Sequence, residues 1–264
     1  ARFLADHDAL TGLANRRRLE SLFIAFFEKP QQGHLRVAVA CVDLDRFKDI
    51  NDTLGHNAGD ELIKAVGDRL KSKLAKDDTL ARLGGDEFAI MRPVFTDEDA
   101  NALSDLIADC FSESFSVMGH LIEANASAGL AFASRQNSFG DTIKRADIAL
   151  YDAKANGRGR LSKFTKTMAD EIEHRHAIQV DLKRALTERE LTLNYQPIVE
   201  AASGAISSVE ALLRWNSPTH GFVPPDLFVS IAEEVGLMAE LGRFVIEQAI
   251  EDAQRWPELT TAIN

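Results

Sequence analysis

Positive charge, cysteine and long apolar runs are all in short supply, and each shortage excludes something. The two cysteines, Cys41 and Cys110, fall inside apolar segments and show no metal-ligand spacing. They read as buried free thiols in a reducing compartment, which places the chain in the cytoplasm. No apolar stretch approaches the roughly 20 residues that span a bilayer. The opening residues, Ala1 to Asp8, have neither the basic start nor the apolar core of a signal peptide. Thirty basic residues against 41 acidic ones give a net charge of −11, which argues against nonspecific nucleic-acid binding. A nucleotide site stays open, provided a metal and a few lysines reverse the field locally.

What is present is ordinary for a globular protein: 264 residues, 45% hydrophobic and 27% charged, enough for one large domain or two moderate ones. The organising stretch is Leu83-Gly84-Gly85-Asp86-Glu87-Phe88-Ala89-Ile90. Two glycines between apolar flanks predict a two-residue hairpin turn at Gly84-Gly85, with two carboxylates directly after it. Such a turn could hold a hard cation and a phosphate, but Gly-Gly-Asp also serves as plain turn chemistry.

Upstream, Gly12 precedes a helix that Asn15 can cap, with Leu19, Leu22, Phe23 and Phe26 as its apolar stripe and Pro30 to Gly33 as its end. Arg16, Arg17 and Arg18 read as a solvated face or as phosphate ligands. Val37 to Val42 reads as a buried central strand. Alternation sets Asp43 and Asp45 on one face at its end, where an unpaired carboxylate is costly. A helix N-cap would account for Asp45 but leaves Asp43 unexplained. Helices are predicted over 62–74, 97–115 and 141–156, and strands over 79–83, 87–91, 121–132 and 161–164. Together these predict an α/β sandwich with a mainly antiparallel sheet flanked by helices. A charged connecting helix with apolar positions Ile172, Val180 and Leu186 follows, and the domain boundary belongs there. Beyond it come two strands around Ser203-Gly204, a helix opened by Pro224-Pro225 with Phe228, Ile231 and Val235 buried, and a further helix to Trp256. The expected division is residues 1–165, a linker helix over 166–190, and 191–264 as the front of a larger domain.

Four ordered motifs carry a family resemblance: Asp8-Ala9-Leu10-Thr11-Gly12-Leu13-Ala14-Asn15-Arg16-Arg17, Asp43-Leu44-Asp45-Arg46-Phe47-Lys48-Asp49-Ile50-Asn51-Asp52, Gly55-His56-Asn57-Ala58-Gly59-Asp60, and Gly84-Gly85-Asp86-Glu87-Phe88. In order and spacing they resemble the GGDEF family of diguanylate cyclases, with its nucleotidyl-cyclase-like fold. The resemblance implies condensation of two GTP to cyclic di-GMP with Mg²⁺ or Mn²⁺, two ions per site, in bacterial second-messenger signalling. Carried over, Asp43, Asp86 and the Leu44 carbonyl would hold metal, with Glu87 a further metal-side carboxylate. Asp86 would also accept the 3′-hydroxyl proton. Gly84 and Gly85 would let the backbone approach the phosphates. Lys48, Lys154 and Arg158 would neutralise phosphate charge, although Lys154 and Arg158 also suit a helix C-terminus. Asn51 and Asp60 would read guanine. Catalysis then needs a homodimer, because each chain would hold one GTP, and a sensory segment usually precedes such a domain.

The region after the linker resembles the start of an EAL cyclic di-GMP phosphodiesterase domain, a (β/α)-barrel, through Tyr195-Gln196-Pro197-Ile198 and Glu210-Ala211-Leu212-Leu213-Arg214-Trp215. The resemblance implies Glu210 and Asn264 as metal ligands and Gln196 and Arg214 as pocket residues. The remaining ligands and the catalytic lysine fall beyond residue 264, so phosphodiesterase activity is not expected of this chain. The alternative reading is a catalytically silent GTP-binding module that regulates an attached phosphodiesterase. One departure matters: the inhibitory Arg-x-x-Asp of many relatives is Ala75-Lys76-Asp77-Asp78 here, which implies weak product inhibition.

Overall fold

Every residue from Val37 to Leu44 is buried in strand β2 (Arg36–Leu44), and the rest of the first unit is arranged to cover both of its faces. This computed structural model describes residues 5–29 and 36–263, in two compact units, 1–169 and 170–264.

In the first unit, β1 (Ala14–Asn15), β3 (Thr79–Gly84), β4 (Glu87–Val94), β2, β7 (Ala126–Ala133) and β8 (Leu161–Lys163) form one sheet in the order β1-β3-β4-β2-β7-β8. β2 runs antiparallel to both β4 and β7, while β1 and β8 join the edges in parallel. The sheet is thus mainly antiparallel, as the sequence predicts. Ala38, Ala40, Val42 and Leu44 face α3 (His56–Lys73) and α4 (Asp97–Cys110), through Leu62, Ile63, Val66, Leu103 and Ile107. Val37, Val39 and Cys41 face α1 (Arg16–Glu28) and α5 (Phe139–Ala155), through Leu19, Phe23, Ile143 and Leu150. Coverage on both sides explains why β2 is continuously apolar rather than alternating. Asn15 caps α1 by accepting from the Arg18 N–H.

Two local expectations need correction. The segment 121–132 is not one strand: β6 (His120–Ile122) pairs with β5 (Phe115–Val117) in a separate hairpin, and β7 starts only at Ala126. The break frees the Asn125 carbonyl to accept from the Asp45 N–H at 2.9 Å. α4 stops at Cys110 because Arg69 of α3 binds the carbonyls of Cys110, Glu113 and Ser114 and lies over the Phe115 ring, 3.6 Å from its centre.

In the second unit, β10 (Ile206–Ser217) pairs antiparallel with β9 (Leu191–Val199) and β11 (Gly221–Val223). It also pairs in parallel with β12 (Thr260–Ile263), reached through α7 (Pro225–Glu234) and α8 (Met238–Ala253). No closed barrel is present among the described residues. The charged helix α6 (Lys166–Glu188) buries Ile178, Leu182 and Ala185 in the core around Trp215 and Phe228. Val235, expected on the buried stripe of its helix, is exposed instead, and Val180 of α6 is exposed as well. Val235 ends α7 and takes the cap position. Among the described residues no helix is long and apolar enough to cross a membrane.

α5 meets the sheet at unusually short range. A Cβ at Gly129 of β7 would lie 2.0 Å from the Ala146 carbonyl oxygen and 2.1 Å from the Leu150 nitrogen. Backbone atoms cannot step aside as side chains do. Gly129→Ala is expected to destabilise the first unit by about 3 kcal/mol through overpacking, read as a lowered midpoint in denaturant titration.

Candidate functional site

The chemistry gathers at one end of β2. Pairing of Gly84 with Glu87 leaves Gly85 and Asp86 as the two-residue loop of the β3–β4 hairpin. The turn therefore lies one residue later than Gly84-Gly85. Gly84 and Gly85 take φ of 153° and 51°, values that side chains disfavour, and nothing lies within 4 Å of where their Cβ atoms would be. The loop is tied to the central strand, since the Asp86 carbonyl accepts from the Leu44 N–H at 3.4 Å. Asp43 stands opposite Glu87 in the β2–β4 register.

Asp43 is 9% exposed, and its Oδ1 lies 2.7 Å from Nζ of Lys154, in the last turn of α5. Burial, then the Asp43 charge, raises the proton affinity of Asp86. Burial raises that of Glu87 as well, followed by Asp43, Asp147 and Asp86. Among the described residues no three His, Cys, Asp or Glu side chains are grouped so as to hold a metal by themselves. The candidate ligand atoms are all oxygens, the carboxylates of Asp43 and Asp86, with the Lys154 ammonium paired to Asp43. That set fits a hard cation completing its shell with phosphate and water.

The turn is braced from below by a residue the sequence reading passed over. Arg82 donates through Nε and Nη2 to the Gly85 carbonyl at 2.9 and 2.7 Å. Its Nη1 reaches both oxygens of Asp8 at 3.0 and 3.1 Å. Asp8 accepts in addition from the N–H and hydroxyl of Thr11. Burial would raise the Asp8 carboxyl, but the hydrogen bonds from Thr11 and Arg82 hold it below the ordinary carboxylate value.

Asp45 does not share the role of Asp43. Its carboxylate accepts from the Ser127 hydroxyl at 2.7 Å and the Gly159 N–H at 3.0 Å. Nor does it cap a helix: the N-cap of α2 (Phe47–Leu54) is Arg46, at φ 57°. Asp45 instead fastens the loop carrying Arg158, an exposed residue at φ 60°. Lys48 and Asn51 sit three residues apart on α2, Lys48 exposed and Asn51 half-buried, and Asp60 is exposed near the start of α3. Arg16, Arg17 and Arg18 are exposed on α1, and Arg17 pairs with Asp6 at 2.8 Å.

Comparison with known proteins decides the family. The model described as "Diguanylate cyclase, GGDEF domain" matches residues 5–160. The chain belongs to the GGDEF family. A second model, the EAL domain, matches residues 179–264. The GGDEF domain of TpbB (YfiN) from Pseudomonas aeruginosa is similar, with a TM-score of 0.59 and 30% identity over 63% of this chain and 99% of that one. The coiled coil and GGDEF domain of DgcB from Caulobacter crescentus, solved in complex with c-di-GMP, gives a TM-score of 0.56 and 30% identity over 61% of this chain and 87% of that one. A bifunctional diguanylate cyclase/cyclic di-GMP phosphodiesterase, MucR of P. aeruginosa, is 35% identical over 96% of this chain and 37% of its own length. The cyclic di-GMP phosphodiesterase NbdA of P. aeruginosa is 34% identical over 95% of this chain and 32% of its own length. The chain thus spans about a third of these two relatives.

Among the EAL residues, Gln196 faces Glu210 directly across the β9–β10 ladder, and Glu210 pairs on its other side with Ala262. Arg214 donates to the Leu213 carbonyl, and Asn264 lies outside the described residues. The structure adds Tyr195, whose hydroxyl donates to Asp252 at 2.9 Å. Burial, with that bond, pushes its pKa up to about 12.

The Asp8–Arg82 brace makes a pH-dependent prediction. Asp8→Asn should cost about 1.5–3 kcal/mol of stability at neutral pH, the range for hydrogen bonds to charged groups. Because the folded carboxyl titrates below its ordinary 3.8, its contribution is present above that value and fades as pH falls below it. Melting curves of the two proteins should therefore converge at low pH.

Proposed function

We propose that the first unit is a diguanylate cyclase, joining two GTP into cyclic di-GMP with release of two pyrophosphates. The observation that carries this reading is the convergence of Asp43, at the end of a buried strand, with Asp86 in the adjoining turn and Lys154 at 2.7 Å. Family membership supplies the substrate class.

In each of two equivalent steps, the 3′-oxygen of one GTP bonds to the α-phosphorus of the other. The bond to pyrophosphate breaks, and the hydroxyl proton passes to Asp86, with Glu87 beside it. Asp43, Asp86 and the Leu44 carbonyl would hold Mg²⁺ or Mn²⁺, two ions per site, and the metal's chemistry would be to neutralise the phosphates and polarise them for attack. Lys48, Lys154 and Arg158 oppose the charge that shifts onto the leaving group. Gly84 and Gly85 give the turn its shape, and Asn51 and Asp60 recognise guanine. Since each chain binds one GTP, two copies must face each other, and positioning becomes the point of control. A segment that senses a signal would act there. The unit at 170–264 would contribute Gln196, Glu210 and Arg214 to an EAL site.

A second reading has its own support. NbdA, similar over nearly the whole chain, is named as a phosphodiesterase. Under that reading the GGDEF unit binds GTP without turning it over and regulates an attached EAL domain.

Incubation with GTP and Mg²⁺, followed by chromatographic separation of nucleotides, distinguishes the two. Cyclic di-GMP should form, and Asp86→Ala should lower the rate by at least about 100-fold, as removal of a key charge-stabilising group does. Bound GTP without product would establish the silent module instead.

Product inhibition should be weak. Asp78, the surviving acid of the inhibitory motif, is engaged by Arg92 at 2.6 and 2.8 Å and by the Ala75 N–H at 2.9 Å. Adding cyclic di-GMP should leave the initial rate nearly unchanged; tight noncompetitive inhibition would refute this.

A further inference from the structure

Gly59 is buried inside helix α3, where glycine is less favourable than alanine. A positive φ does not explain it, since Gly59 is absent from the residues that adopt one. Its surroundings do. A Cβ at Gly59 would fall 1.9 Å from Oδ1 of Asn51, and 3.0 Å from both Cγ of Asn51 and Cζ of Phe47. That Oδ1 is buried and has no hydrogen-bond partner, an arrangement that costs stability. The Asn51 carbonyl is therefore laid against the Gly59 Cα, where a weak C–H···O contact is available. The NH₂ end of the planar amide points the other way.

We propose that Gly59 is a positioning residue for base specificity. By leaving room for the Asn51 carbonyl, it fixes the amide so that its NH₂, a donor, is offered to the base. This rests on the reading of Asn51 and Asp60 as the guanine-recognising pair. A fixed donor on Asn51 together with the acceptor carboxylate of Asp60 matches guanine, which sets the O6 acceptor next to the N1–H and N2–H donors. Adenine presents a donor amino group where guanine has O6. An Asn51 free to rotate would offer its carbonyl to that amino group and tolerate adenine. Sites built to hydrogen-bond one pattern reject the other because buried groups are left unpaired.

The test uses four proteins: wild type, Gly59→Ala, Asn51→Ala and the double variant. Calorimetry measures binding of GTP and of ATP, and thermal melting measures stability. Gly59→Ala should weaken GTP by about tenfold or more, equivalent to one lost discriminating contact, and should narrow the GTP-to-ATP ratio. Asn51→Ala should do the same, and the double variant should be no worse than Asn51→Ala. Gly59→Ala should lower the melting temperature clearly less in the Asn51→Ala background, where the obstructing amide is gone and only the Phe47 ring edge, 3.0 Å from the new Cβ, has to give.

If Asn51→Ala loses GTP selectivity while Gly59→Ala keeps it, the proposal fails and the guanine reading stands. An Asn51→Ala protein with unchanged GTP binding overturns the guanine reading, and the proposal with it. Should Gly59→Ala not fold, the double variant decides. A folded double variant supports the proposal, and failure to fold as well overturns it.

Discussion

Like charges crowd the end of β2, and much of the first unit can be understood as a response to that crowding. Asp43 is carried there by a strand whose residues from Val37 to Val42 are apolar and buried. Asp86 and Glu87 are brought beside it by the hairpin, and burial and mutual repulsion push both toward the protonated form. Repulsion of this kind is tolerated where a cation answers it. Lys154 answers part of it from α5. The Arg82 brace holds the loop in place from the opposite side, so the acids cannot relax their repulsion by drifting apart.

Much of this was legible along the chain. An apolar β-branched run ending in Asp43 marks a buried strand with a charge to explain, and the Gly-Gly-Asp-Glu stretch marks its hairpin. What escaped notice depended on contacts between distant segments. Arg82 and Asp8 are 74 residues apart in sequence, and nothing in either segment alone names the other. The division of 121–132 into two strands follows from a backbone carbonyl, that of Asn125, being needed by Asp45. Backbone partners leave no trace in side-chain pattern. The helix-cap alternative for Asp45 fails for a related reason: Ser127 and Gly159, its partners, come from β7 and from the loop after α5.

The second unit shows the limit of periodicity in a charged helix. α6 has too few apolar residues for the stripe to declare its phase, and the buried set proved to be Ile178, Leu182 and Ala185. Pairing of β9 with β10 is easier to anticipate from the Ser203-Gly204 turn, but its register is not: an irregularity between Ile206 and Ser208 shifts it by one and puts Gln196 across from Glu210.

The close seat of α5 on Gly129 has a consequence for how such a unit can be governed. With helix backbone resting on strand backbone, there is no compressible layer of side chains between them to absorb a shift. Lys154 at the helix end and Asp43 in the sheet therefore behave as two points on one rigid body. On the reading proposed for the first unit, a signal would act on that body as a whole, by deciding where it is held and what it is made to face.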